Sequence, residues 1–301
     1  MSGFEAASDP ARKYKPVGRC IYCDNLGNEP LGDEHIIPLS LNGTLVLPQA
    51  SCRKCEKITS YLDGFIARSV FHQVRVAAGL KSRRALPKTF PVILKFNGQP
   101  DQRVEVSADI HPATLVLPKF KLPDLLSGKM PDGNFEFTYR QWMRASAEFD
   151  AFVQSKGAIS AEVECSIKPQ QFSRVLAKIA HSFAVAELGI YGFRPALLDL
   201  IHRRNVEVGP QLVGSEDAIP APESKILHEI AIVPDQRFVL VRIRLFASSS
   251  SDDGAGTPVY LVVAGARICW LSELSRRFSR VVALVGAAIK TLVRRLRPSA
   301  T

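Results

Sequence analysis

No stretch of this chain is apolar for long enough to cross a membrane. The longest runs, Val259–Ala266 and Val281–Ile289, fall far short of the ~20 residues a spanning helix needs. No basic segment followed by an apolar one opens the sequence, so no secretory signal is expected and the protein is expected in the cytoplasm. Cysteine is scarce, six in 301 residues, and a disulfide framework is not how a chain of this size is held together. No segment repeats. Acid is in deficit, with 29 Asp and Glu against 39 Lys and Arg, a net +10 that favours an anionic partner. Nucleic acid is the commonest such partner for a soluble protein. The excess is uneven: Arg267–Arg297 holds eight basic residues and the single acid Glu273. Otherwise the composition, 46% hydrophobic and 23% charged, is that of an ordinary folded protein, long enough for two domains of ~100–200 residues.

Four of the six cysteines stand in two close pairs, Cys20-x2-Cys23 and Cys52-x2-Cys55. Two thiolate pairs on tight knuckles can close a tetrahedral site around a soft divalent ion, and zinc is the usual occupant. The 28 residues between the pairs leave room for a hairpin, and they carry Asp33-Glu34-His35-Ile36-Ile37-Pro38. An imidazole that titrates near neutrality can take a proton from water, and a neighbouring carboxylate suits a hard cation such as Mg²⁺ or Mn²⁺. In an extended strand, however, Glu34 and His35 point to opposite faces, so they meet at one site only if the backbone bends.

The order Cys20-Ile21-Tyr22-Cys23, Glu34-His35-Ile36-Ile37-Pro38, Leu41-Asn42-Gly43, Ser51-Cys52-Arg53-Lys54-Cys55 resembles the four-cysteine group of HNH endonucleases. The likeness covers roughly residues 18–70. It implies a treble-clef, ββα-metal module with structural zinc on the four cysteines, Glu34 on a catalytic divalent ion and His35 as general base. Two positions depart from the family pattern. Glu56 stands where Asn or His usually completes the metal site; it is either a substitute ligand for the divalent ion or a first-turn acid favoured by the helix dipole. Asn is missing from the stretch before Cys52, leaving Asn42 to orient His35, although Asn-Gly more often makes a turn. Arg53, Lys54 and Lys57 on the second knuckle, with Arg83 and Arg84 farther on, would grip phosphates. The resemblance implies a metal-dependent nuclease acting on nucleic acid, DNA foremost. Two alternatives remain open: a nucleic-acid-binding module that has lost its chemistry, and a protein-docking platform whose basic tail meets lipid or a partner.

The fold class expected is α+β, a small zinc-stabilised ββα-metal module followed by a larger domain with a mainly antiparallel sheet. Residues 1–17 read as a loose arm, 18–84 as the module and 85–301 as the second domain. Ile58, Leu62, Phe65, Ile66, Ser69, Val70 and Gln73, mostly apolar, keep helical spacing, and Gly79 ends the stripe. Strands are expected at Phe90–Phe96, Arg103–Val106, Thr114–Leu117, Phe135–Tyr139, Ser160–Ile167, Arg237–Phe246 and Pro258–Ala264. Helices are expected at Gln170–Leu188, at Pro195–Arg204 and, basic and amphipathic, at Leu274–Leu296; 209–224 reads as a loop. Asp63 reads as a solvated acid, His181 as a surface or boundary histidine, and Cys165 and Cys269 as buried free thiols. His72, His111, His202 and His228 carry no signal.

Overall fold

The computed structural model describes residues 10–23, 29–80, 85–130, 133–216, 220–222, 226–249 and 256–268. Arg83, Arg84, Cys269 and the basic helix expected at Leu274–Leu296 lie outside them. The fold is α+β with mostly antiparallel sheets.

The N-terminal sheet holds β1 (Arg12–Lys13), β2 (Gly32–His35) and β3 (Leu45–Ser51) in the order β1-β3-β2. β1 runs parallel to β3 and β2 antiparallel to it, with the β2–β3 register shifting between Gly32 and Glu34. The hairpin turn is built by Asn42, left-handed at φ 63°, and by Gly43, where a Cβ would lie only 2.1 Å from the Ile37 carbonyl oxygen. α1 (Arg53–Arg68) leaves directly from Cys52 and α2 (His72–Ala77) follows after a break. The sequence stripe continued straight through that break. At the break Ser69 leaves the helical dihedrals (φ −119°, ψ −88°), its amide and hydroxyl both donate to the Phe65 carbonyl, at 3.0 and 2.7 Å, and the chain turns Phe71 fully inward.

Next come β4 (Thr89–Lys95), β5 (Gln102–Ser107), β6 (Ala113–Phe120), the single turn α3 (Asp124–Ser127), β7 (Phe137–Arg144), α4 (Ala147–Ser155) and β8 (Ser160–Val163). β5-β4-β8 form a sheet over α4, with a small core of Val92, Leu94, Val106, Phe149 and Val153; β6 and β7 form a hairpin. α4 was not foreseen, though Ser146 caps it by accepting from the Phe149 amide at 3.2 Å.

α5 (Pro169–Leu188) has Pro169 in its first turn and Gly189 just past its end, as the sequence suggested. After it come β9 (Phe193–Pro195), α6 (Leu198–Ile201), α7 (Gly209–Leu212), β10 (Val213–Ser215), β11 (His228–Val233), β12 (Phe238–Leu245) and β13 (Val259–Arg267). The expected helix from Pro195 to Arg204 is instead a strand ending at Pro195 and one turn of helix. The loop expected at 209–224 contains α7 and β10, buried against β13. The sheet runs β10-β13-β12-β11, and β9 also pairs with β13.

α5 packs on β12 and β13 on one side and on α1 on the other. One continuous apolar core therefore joins Ile21, Tyr22, Leu62 and Ile66 to Phe172, Ile179, Val241 and Val262. Its burial runs unbroken from Phe172 to Val185, including Arg174, Lys178, His181 and Ser182. A helix buried all round must satisfy its polar side chains inside the protein. That requirement shapes the site.

Candidate functional site

The two knuckles meet at the start of α1. Cys20, Cys52 and Cys55 are buried and Cys23 is exposed, and their four sulfurs lie within 4.8 Å of one another. Cys23 Sγ and Cys52 Sγ are 3.6 Å apart; tetrahedral Zn–S bonds of about 2.3 Å place sulfurs about 3.8 Å apart. The cluster is compatible with structural zinc. A hydrogen bond from Cys55 draws Cys20 down to about 4, and the same contact, with burial, pushes Cys55 up. Four crowded thiols cannot all ionise without a positive charge among them.

Histidines from the C-terminal half brace this region. His181 Nε2 meets the Ile21 carbonyl at 2.8 Å, His202 Nε2 the Tyr22 carbonyl at 2.9 Å and His228 Nε2 the Leu41 carbonyl at 2.7 Å. A carbonyl only accepts, so each Nε2 carries the proton. His181 is thus a buried strut, not the surface or boundary residue expected. The reason is that the polar edge of α5 faces the knuckle and not solvent.

β2 puts Glu34 and His35 along a cavity of about 720 Å³. Asp33, Ser40, Glu56, Thr59, Asp63, Arg68, His72 and Arg75 border it as well. Glu34, almost fully buried, meets Lys178 Nζ at 2.6 Å through Oε1. Asp63 Oδ2 lies 3.3 Å from the same ammonium, which also donates to the His35 carbonyl at 2.5 Å. Burial alone would lower the Lys178 pKa, but the Asp63 and Glu34 carboxylates more than offset that and hold it above the ordinary lysine value. Burial, aided by Glu34 and opposed by Lys178, raises Asp63 to about 6. Asp63 is therefore a partner in an ion triad and not a freely solvated acid. Arg75, which also borders the cavity, is buried, donating from Nε to the Ser40 carbonyl at 2.5 Å and from Nη1 to the Ala67 carbonyl at 2.9 Å. His72 is held below its ordinary value by burial and by Arg75 and Arg68.

The residues expected at the site are thus only partly gathered. Glu34, His35 and Glu56 share the cavity. Asn42 caps the turn after Leu41 and does not border it. Arg53, Lys54 and Lys57 are exposed on α1, away from the cavity lining. Cys165, expected to be buried, is exposed. Among the described residues only the four cysteines bring three or more metal-ligating groups together. With Glu34 Oε1 committed to Lys178 and, among the described residues, no third ligating group beside it, the cavity's donors do not fit a divalent ion such as Mg²⁺ or Mn²⁺. Lys178, Arg68, His72 and Arg75 escaped the sequence reading. A signal existed for Lys178: a cation in the middle of a largely apolar helix needs a buried acid.

Among the described residues no helix is long and apolar enough to cross a membrane. Comparison with known protein families, with curated proteins and with solved structures found no match to this chain.

Proposed function

We propose that the cavity is a site of phosphodiester hydrolysis in nucleic acid, DNA foremost, with His35 as general base. The reading rests on one observation: an acid–histidine pair, set between two cysteine knuckles, borders a cavity of about 720 Å³. That volume suits a nucleotide-sized group. His35 takes a proton from water, the hydroxide attacks phosphorus, and the phosphorus–oxygen bond to the leaving sugar breaks, the sugar oxygen taking a proton from solvent. Lys178 holds the backbone of His35 and the carboxylate of Glu34 and so fixes the geometry of the base.

The commitment of Glu34 to Lys178 favours a second reading, in which the cavity binds nucleic acid and does not cut it. Plasmid incubated with wild-type protein and His35→Ala, across several divalent metals and in chelator, separates the two. Hydrolysis predicts cleavage that falls ~10²–10⁴-fold in His35→Ala, with fold and zinc content retained. An equal rate in both proteins moves the base elsewhere; no cleavage under any condition leaves the binding reading.

A further inference from the structure

We propose that Arg68 is the phosphate-anchoring residue of this cavity, held over it by the absence of a side chain at Gly64. The inference rests on the nucleic-acid reading above and names the group that would grip the backbone. Gly64 lies within the 16-residue helix α1, where glycine costs ~1 kcal/mol relative to alanine. What the glycine permits is visible in the packing. A Cβ at position 64 would lie 2.8 Å from Arg68 Nη1 and 2.9 Å from Nη2, so the guanidinium lies across the bare backbone one turn back. Gly64 and Arg68 both border the cavity.

The other basic side chains there have different work. Arg75 is buried and committed to the carbonyls of Ser40 and Ala67. Lys178 is committed to Glu34, Asp63 and the His35 carbonyl. Arg68 is exposed and makes no hydrogen bond or ion pair among the described residues, although Glu56 and Asp63 border the same cavity. A guanidinium presents its N–H groups as a planar fork that matches two phosphate oxygens. The ligand class is the phosphodiester backbone of a nucleic acid, held by this fork in the cavity that His35 also borders.

Gly64→Ala separates anchoring from folding. The clashing atoms are the far end of a flexible side chain, so the helix gains propensity while the guanidinium is displaced. The experiment uses the full-length His35→Ala protein, so that cleavage does not consume the probe, with a fluorescent DNA duplex followed by anisotropy over a salt series. Adding Arg68→Gln should weaken binding roughly tenfold, the lower range for a hydrogen bond to a charged group, and flatten the salt slope by about one. Arg68→Lys should restore the slope but only part of the affinity. Gly64→Ala should keep or raise the thermal midpoint yet weaken binding several-fold. Inorganic phosphate, titrated by calorimetry, identifies the source of the anion. Loss of phosphate binding in Arg68→Gln with duplex affinity unchanged overturns the proposal, as do duplex affinity and salt slope unchanged in both Arg68→Gln and Gly64→Ala. Loss of duplex binding in these variants, alongside an uncleaved plasmid in the wild type, supports the anchor and refutes the hydrolytic reading. Cleavage that ignores Arg68 does the reverse.

Discussion

Replacing Lys178 with methionine keeps the length of the side chain and removes its charge, so little cavity is created and the electrostatic consequence dominates. Wild-type Lys178 is 0% exposed, the Glu34 side chain 5% and Asp63 25%. Without the ammonium, Asp63 can be relieved by water along the cavity. Glu34 cannot. Removing one partner of a buried ion pair costs ~3–5 kcal/mol because the charge left behind has no compensation. Partial access of water to Asp63 argues for the lower end, about 3 kcal/mol, against the ~5–15 kcal/mol of a typical domain. Urea unfolding followed by circular dichroism measures it. The loss should also depend on pH in a definite direction. In Lys178→Met the Asp63 carboxyl, raised by burial and no longer drawn down by the ammonium, would titrate higher in the folded protein than in the unfolded chain. Folding then takes up protons, and stability rises as pH falls through the folded-state pKa. Wild type already shows the trend in Asp63, raised to about 6 from an unfolded value near 3.9. Adding Glu34→Gln to Lys178→Met removes the stranded charge and should recover more than half of the loss, which a double-mutant cycle reports directly. A Lys178→Met protein within about 1 kcal/mol of wild type, with no gain at low pH, would refute the triad as the organising feature of the cavity.

Other outcomes follow from the same contacts. Wild-type protein should carry zinc, and Cys52→Ser should lose it together with part of the thermal stability; unchanged zinc content and melting would sink the four-cysteine site. Because one core joins the knuckles to α5, that loss should be felt by the whole chain, as hydrogen exchange along α5 would report. Burial holds His228 down at about 4, well below its unfolded value near 6.5. The unfolded chain therefore binds the extra proton between these limits, and stability is lost as pH falls from about 6.5 toward 4. His228→Gln, which can still donate to the Leu41 carbonyl, should remove that step, whereas an unchanged acid limb would show that other groups set it.

The features readable in the sequence are those whose cause is local. Two x2 spacings make knuckles whatever else the chain does, and the four sulfurs do converge. Alternation and helical period located β4, β5, β12, β13 and α5 to within a few residues. The errors sit where the backbone departs locally from a pattern. The helix breaks at Ser69 within a stripe that looks continuous, and the Asn42-Gly43 pair, open to a catalytic reading, serves the turn.

Lys178, His181, His202 and His228 fail to announce themselves for another reason. Each satisfies an atom far away in the chain, Lys178 reaching His35 across 143 positions. Taken alone, each is an ordinary polar residue on a helix, a turn or a strand. Their shared logic is backbone satisfaction. The knuckle at Ile21–Tyr22 and the hairpin around His35 and Leu41 leave carbonyls that their own short elements do not use, and buried carbonyls without donors are costly. α5 and its neighbours supply the donors. A zinc-type knuckle and an acid–histidine strand, legible as a unit by themselves, are thus held in register by residues that the sequence places in another domain. The cavity depends on both halves of the chain, since removing α5 would take away the cation that Glu34 and Asp63 share.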